Sequence, residues 1–205
     1  MAPPEGKVFT HITGMVQDKQ GYMWFASKSG LFRYDGYQMV YFRNNPFDPN
    51  SLSVDQLESI CIDSSGNLWI GTYGAGLDRY DPVTGTFTHF RHNPNDPSSL
   101  ADDTVSVLLT DKNGTLWVGS QGLSRFDPKT GRFIHYQHNP NDPGSISSNE
   151  VMAIYEDRLG ELWIGTGSVY GPFKNVPSAG GLNRLDRRTG TFTRFVHDPN
   201  NPQSL

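Results

Sequence analysis

The side chains best suited to recognising a small molecule are gathered in one stretch, residues 167–180, which holds Tyr170, Phe173, Lys174 and Asn175. Aromatic faces, an amide and a cation suit stacking on, and hydrogen bonding to, a polar ligand such as a sugar. Tyr73 and Gln121 occupy the matching places in two other segments of the chain. Hydrolytic or metal chemistry finds less to work with. His92, His138 and His197 form one histidine series and His89 and His135 another, while the pair Arg79 and Asp81 recurs as Arg33 and Asp35, Arg125 and Asp127, and Arg184 and Asp186. Asp55, Asp103 and Asn149 form a further series, able either to ring a channel mouth and hold a cation or hydroxyls, or to cap turns. Gly71, Gly74 and Gly76 imitate a phosphate loop, but neither a helix nor a Lys-Ser/Thr pair follows them. A Ser-His-Asp signature and a Cys-x-x-Cys pair are both missing, so no catalytic residue, metal ligand or cofactor is assigned.

The elements that must position these residues follow from a period. Trp24, Trp69, Trp117 and Trp163 stand 45, 48 and 46 residues apart. Twelve positions before each Trp is Ile12, Leu57, Val105 or Val151; six before is Asp18, Asp63, Asp111 or Asp157; three before is Gly21, Gly66, Gly114 or Gly160. After each Trp comes a Gly-Leu pair, at Gly30-Leu31, Gly76-Leu77, Gly122-Leu123 and Gly181-Leu182. A repeat of about 40–50 residues is either a propeller blade or a helical-repeat unit. Glycine or proline interrupts each unit every eight to twelve residues, too often for helices of useful length.

The pieces between the breakers read as strands. In the second unit they are predicted at 57–62, 68–72, 77–80 and 86–90. Asp63-Ser64-Ser65-Gly66 suits a tight hairpin, with Asp opening the turn and Gly supplying a left-handed residue. The loop at 81–85 recurs at 127–131, and at 186–190 without its proline. Four hairpin-linked strands per unit make one blade. The expected architecture is therefore all-β: a single β-propeller region over 1–205, with four four-stranded antiparallel blades at about 8–52, 53–100, 101–146 and 147–205, part of a larger ring. The four tryptophans are expected to fill the gaps between blades. The glycines two residues beyond (Gly71, Gly119 and Gly165, with Ala26 in the first unit) would admit the neighbour's bulk.

This placement sorts the candidates. Residues that recur once per blade sit in separate copies of one environment, so the histidines are assigned structural or solvent-facing roles rather than a metal site. Arg79 and Asp81 are expected to pair within or between blades, and turn caps are the favoured reading of Asp55, Asp103 and Asn149. Cys61, the one cysteine, falls in a first strand and is expected buried and inert. The loops between second and third strands share one rim with the blade-to-blade connectors. There the first three units have two, three and one residues, against fourteen in the fourth. An insertion in one blade maps to one face, often the binding face; the other reading is a drifted surface loop. Tyr73, Gln121, Tyr170, Phe173, Lys174 and Asn175 are thus the candidate ligand site.

Formal charge is −4 with both signs scattered, which gives no basic stripe for nucleic acid. No apolar run approaches the roughly 18 residues of a membrane span. Membrane attachment is accordingly expected only through segments outside this chain.

Leu68-Trp69-Ile70-Gly71-Thr72 and Leu162-Trp163-Ile164-Gly165-Thr166, with the preceding Asp-x-x-Gly turn and the following Gly-Leu-x-Arg-x-Asp, resemble the two-component regulator propeller repeat. The segment His92-Asn93-Pro94-Asn95-Asp96-Pro97, echoed from His138 and from His197, resembles that family's connector. The resemblance implies an extracytoplasmic or periplasmic sensor region of a hybrid histidine kinase or diguanylate cyclase, binding an oligosaccharide or other small polar ligand, with no catalysis in this fragment itself. Met23-Trp24-Phe25-Ala26-Ser27 departs from the pattern, as the opening blade of an array does. Two other readings stand beside it: a propeller enzyme resembling the streptogramin lyases, and a purely structural or protein-interaction propeller. An open arc of four blades would wet two apolar faces, so truncation of a larger propeller is favoured and a homodimer through those faces is a further expectation.

Overall fold

The computed structural model describes residues 11–167 and 180–205, and within them the chain forms four separate four-stranded sheets, every neighbouring pair of strands antiparallel. The first contains β1 (Ile12–Gln17), β2 (Met23–Ser27), β3 (Gly30–Tyr34) and β4 (Met39–Phe42). The second contains β5 (Leu57–Ile62), β6 (Leu68–Thr72), β7 (Leu77–Asp81) and β8 (Thr86–Phe90). The third contains β9 (Val107–Thr110), β10 (Leu116–Ser120), β11 (Gly122–Asp127) and β12 (Arg132–Tyr136). The fourth contains β13 (Val151–Glu156), β14 (Leu162–Thr166), β15 (Gly181–Asp186) and β16 (Thr191–Phe195). Strand order in every sheet is the order of the chain, which makes each sheet a meander. The third strand of the second sheet runs one residue past its predicted end, because Asp81 still pairs with Thr86.

One aspartate organises each first turn. Asp63 Oδ1 accepts the amides of Ser65 at 2.9 Å and Asn67 at 3.0 Å, and Gly66 closes the turn at a φ of 92° that side chains disfavour. The second oxygen, Oδ2, accepts the indole N–H of Trp69 at 2.9 Å. The same bond joins Trp24 to Asp18 at 2.7 Å, Trp117 to Asp111 at 2.8 Å and Trp163 to Asp157 at 3.0 Å. A buried indole must satisfy its single donor, and the six-residue spacing supplies the acceptor from the turn that begins the same hairpin.

Strand alternation gives each sheet two different faces. The Trp face points toward the following sheet: Trp24 packs with Leu57, Ile60, Leu68, Ile70, Tyr80 and Phe87 of the second sheet. Trp69 and Cys61 pack with Val105, Leu108, Leu116, Val118 and Phe126, and Trp117 packs with Val151, Leu162, Ile164, Leu185 and Phe192. Three interfaces repeat one arrangement of indole against aliphatic and aromatic side chains. A Cβ on Gly71 would lie 2.7 Å from the Val105 carbonyl oxygen, and one on Gly119 would lie 2.8 Å from Val151 Cγ1, so both glycines admit the next sheet as expected. Lysines add a polar staple at the far rim, with Lys19 Nζ donating to the Ser64 carbonyl at 2.7 Å and Lys112 Nζ to that of Asp157 at 2.6 Å.

The inner strands pack in the order β1, β5, β9, β13, and no comparable packing joins β13 to β1 among the described residues. Two expectations therefore fail in the fourth sheet. Trp163 fills no gap and is only half-buried, and Gly165 admits no neighbouring sheet; its absent Cβ would meet only Ala153 of its own sheet. The Arg–Asp series differs from expectation in the first, second and fourth units, and in the third it is Arg187 that lies 5.9 Å from the Trp117 ring centroid. Arg79 lies with its guanidinium 5.8 Å from the Trp69 ring centroid, Arg33 is 5.6 Å from that of Trp24, and Arg184 is 6.0 Å from that of Trp163. Asp81 instead turns away to accept the Val83 amide at 2.8 Å. A cation over an indole face is held by the ring's quadrupole and needs no acidic partner on the strand.

Replacing Trp117 by Ala should cost about 3–5 kcal/mol, the range for emptying a buried aromatic site. The equivalent change at half-buried Trp163 should cost no more than about 2 kcal/mol, since water already covers part of its ring. Urea unfolding followed by circular dichroism measures both. Equal losses would contradict the asymmetry of the two sheets.

Candidate functional site

The loops that follow second strands and the connectors that precede first strands meet at one rim, and backbone bonds fix them there. Gly76 N donates to the Asp103 carbonyl at 2.7 Å, Gly122 N to that of Asn149 at 2.7 Å, and Tyr73 N to that of Gln56 at 3.0 Å. Each connector is folded on itself. Ser99 Oγ receives the Asn93 amide at 2.9 Å and donates to the Asn93 carbonyl at 3.1 Å, while Asn93 Oδ1 and Asp96 Oδ1 take the amides two residues ahead of them. The same pattern recurs at Asn139–Ser145 and Asp198–Ser204. The Asn-Pro-x-Asp-Pro sequence thus encodes a closed loop held by short polar side chains.

The series Asp55, Asp103 and Asn149 latches these loops. Asp103 Oδ1 accepts the His92 amide at 2.7 Å, Asn149 Oδ1 that of His138 at 2.7 Å and Asp55 Oδ1 that of Asn44 at 2.8 Å. Capping, rather than a ring of ligand oxygens, is their role. The connector histidines are equally committed: Nδ1 of His92, His138 and His197 each meets a carbonyl at 2.8 Å, those of Leu100, Ile146 and Leu205.

His89 and His135 hold the same strand position but differ in chemistry. His135 Nε2 meets the Ser99 carbonyl at 2.9 Å and Nδ1 meets the Ser124 hydroxyl at 2.8 Å, a pair that a neutral ring satisfies. His89 faces two acceptors, the Asp78 carboxylate at 2.6 Å and the Pro49 carbonyl at 3.1 Å. Only the doubly protonated ring donates to both, and the bond to Asp78 raises the His89 pKa above its ordinary value against the opposing effect of burial. Asp78 is fully buried and spends its other oxygen on the Ser53 amide at 2.8 Å.

On the far rim, Arg187 stands where two other turns have proline, and it crosses to the third sheet. Its guanidinium reaches Asp111 at 2.6 Å and Glu156 at 2.8 Å. Burial alone would raise the Asp111 pKa, but the Trp117 indole, the Thr115 amide and Arg187 outweigh it and hold the carboxyl below its usual range. Cys61 lies between the second and third sheets, 3.5 Å from Thr110 Oγ1, and burial pushes its thiol to about 12. Neither group is poised for chemistry.

Of the residues singled out for ligand binding, Tyr73 is 58% exposed just beyond β6, and Gln121 is exposed between β10 and β11, bridged by its backbone to Glu150. They stand on the same rim in adjacent sheets. Tyr170, Phe173, Lys174 and Asn175 lie outside the described residues. The structure adds a pair that sequence reasoning missed. A bulge between Leu57 and Ser59 leaves Glu58 out of the ladder, and its carboxylate bonds Lys28 of the first sheet's loop. Glu58 stands where the other units have Thr13, Ser106 and Met152, a break in the repeat visible in the aligned sequence. Among the described residues no three His, Cys, Asp or Glu side chains gather to hold a metal ion.

Residues 6–29, 51–74, 99–122 and 145–168 match the two component regulator propeller repeat. The chain is 26% identical to a domain described as the extracellular domain of the hybrid two component system BT3049 from B. thetaiotaomicron, with a TM-score of 0.64 over 91% of this chain and 30% of that one. It is 25% identical to the corresponding domain of BT4673 from the same organism, with a TM-score of 0.70 over 100% of this chain and 24% of that one. The chain thus spans under a third of either relative. Virginiamycin B lyase from Staphylococcus aureus shares the fold at 14% identity, with a TM-score of 0.55 over 95% of this chain and 73% of that one. No curated protein matches the chain.

Because folding raises the His89 pKa, the protonated His89–Asp78 pair contributes fully below the unfolded histidine value of about 6.5 and is lost as pH rises through the raised value. The difference in melting temperature between the wild type and His89→Gln should therefore be largest near about pH 5.5 and should shrink in alkali. A difference independent of pH would refute the protonated ring.

Proposed function

We propose, because the chain belongs to the two component regulator propeller family, that it is a ligand-sensing module of a bacterial signal-transduction receptor of two-component or diguanylate-cyclase type. One observation carries this reading: the likeness, across 91–100% of this chain, to extracellular domains of hybrid two component systems. The module works on the outer side of the inner membrane, and its ligand is a small polar molecule or an oligosaccharide. The module is non-catalytic, and the kinase or cyclase output belongs to other parts of the whole protein.

The rim gives the reading a physical basis. Backbone bonds and connector latches fix its described loops, at the amides of Tyr73, Gly76, Gly122, His92 and His138. What varies between units is the side chain each loop presents: Tyr73, Gln121, the Lys28–Glu58 pair, and Tyr170, Phe173, Lys174 and Asn175 in the long loop. Variable polar and aromatic groups on a fixed frame are the arrangement by which loops acquire ligand specificity. An enzyme reading lacks comparable support, since the likeness to virginiamycin B lyase at 14% identity is one of fold alone.

Thermal-shift measurements against a panel of oligosaccharides test the proposal. A ligand at about 100 times its dissociation constant stabilises the fold by about 2.7 kcal/mol. Tyr73→Ala and Lys174→Ala should each remove the shift while moving the unliganded midpoint little, as expected of an exposed tyrosine. A shift that survives both substitutions would place the ligand elsewhere, and its absence across the panel would remove the sugar reading. Conversion of a glycan during incubation would return the enzyme alternative.

A further inference from the structure

The connectors ahead of the second, third and fourth sheets lie along the outer strand of the sheet they lead into, and are tied to it in two ways. One tie is backbone: Phe87 N donates to the Asn50 carbonyl at 3.0 Å, Phe133 N to that of Ser98 at 2.8 Å and Phe192 N to that of Gly144 at 2.7 Å. The other is a side chain at one repeated position of the outer strand, His89, His135 or Arg194. Each stands in register with a third-strand residue, respectively Asp78, Ser124 and Asn183. Three equivalent connectors are therefore held by three different chemistries.

A guanidinium does not lose its proton in a protein, and that of Arg194 donates to the Ser145 carbonyl at 2.6 Å and the Asp142 carbonyl at 2.8 Å. His135 holds the Ser99 carbonyl through Nε2 at 2.9 Å in either protonation state, because the Ser124 hydroxyl at Nδ1 can donate or accept. His89 has no such freedom. Its nitrogens face two acceptors, the Asp78 carboxylate at 2.6 Å and the Pro49 carbonyl at 3.1 Å, so a ring with one proton must abandon one of them. The remaining proton stays on Nδ1, because the Asp78 carboxylate is fully buried and the stronger acceptor. Pro49 is exposed, and water replaces the ring there at little cost. Deprotonation thus breaks the bond to the connector.

We propose that His89 is a proton-operated clasp on the connector at residues 43–56, closed while the ring holds two protons and open at Pro49 once it holds one. The charges that act on the ring are Asp78 from β7 and Arg91 just past β8, while the connector's own Asp48 is spent on the Asn50 amide at 2.9 Å. The hydrogen bond to Asp78 raises the His89 pKa against burial and against Arg91. The clasp is therefore closed below the ordinary histidine value of about 6.5 and opens as pH rises through the raised one. Opening is local. The Ser53 amide stays on Asp78 at 2.8 Å, and the two later connectors keep their ties. The inference is independent of any ligand on the rim.

Hydrogen exchange followed by NMR reads the clasp at the Phe87 amide, whose acceptor Asn50 adjoins Pro49. From about pH 5.5 to about pH 8.5 its protection factor, with intrinsic exchange removed, should fall about fivefold, the ratio that one modest hydrogen bond supplies. The Phe133 and Phe192 amides should keep their protection over the same range. His89→Arg, the fourth sheet's arrangement, should hold Phe87 protected throughout. Asp78→Asn should move the midpoint of the fall down toward the ordinary histidine value, and it carries the test if His89→Arg disturbs folding. Phe87 protection that ignores pH, or a fall shared equally by the three amides, overturns the clasp. So does a fall that persists in a folded His89→Arg, or a midpoint that Asp78→Asn leaves unmoved.

Discussion

The structure depends on the bond between a buried indole N–H and the aspartate that opens the same hairpin. A tryptophan between two sheets brings a large apolar surface and a single polar atom, and that atom must be satisfied without admitting water. The turn aspartate does this with one oxygen while the other gathers the turn amides, at 2.7–3.0 Å in all four sheets. Turn geometry, side-chain orientation and interface burial are thereby tied to two residues six apart. Arginine over the ring completes the enclosure: the repeat's own Arg33, Arg79 and Arg184 do so in three units, and Arg187 of the fourth sheet's turn does so for Trp117.

Because the two faces of each sheet differ, stacking has a direction. In the first three sheets the indole face meets the mixed aliphatic and aromatic face of the sheet that follows, so an array of these units has two unlike ends. A sheet in the middle is buried on both sides and a sheet at either end on one, a quasi-one-dimensional arrangement in which stability is set by neighbours. Arg187 adds a polar link of the same sense. Its pairing with Asp111 and Glu156 ties the third sheet's turn to the fourth sheet, in a setting where either carboxylate left alone would be costly.

Most of the fold was legible in the sequence because the signals there are local and repeated four times. Strand alternation, the Asp-x-x-Gly turn and the glycines beyond Trp69 and Trp117 all reflect contacts within a hairpin or at a fixed offset into the next one. The candidate site was legible only in outline. Tyr73 and Gln121 fall on one rim because strand order alone puts them there. The Lys28–Glu58 pair was missed since its partners are thirty positions apart and meet only after a bulge expels Glu58 from its ladder. The repeat alignment did hold the clue, an acid where other units have Thr13, Ser106 and Met152. Likewise, His89 and His135 look alike in sequence, and only the partner across the strand, the Asp78 carboxylate or the Ser124 hydroxyl, sets them apart.

The division between constant and variable positions bears on the proposed sensing role. Residues that build the stack are repeated and committed: indole to aspartate, connector amide to latch oxygen, histidine to carbonyl. A ligand gains little by competing with these bonds, since it would have to replace interactions already satisfied in a buried setting. Among the described rim residues, the side chains of Tyr73 and Gln121 make no such bonds, whereas Lys28 and Glu58 hold each other across the boundary between the first and second sheets. A ligand that engages one of that pair would weaken a tie between sheets, whereas one that spans Tyr73 and Gln121 would strengthen the seam between the second and third. On the proposed reading, recognition at the rim would thus act on the contacts between neighbouring sheets.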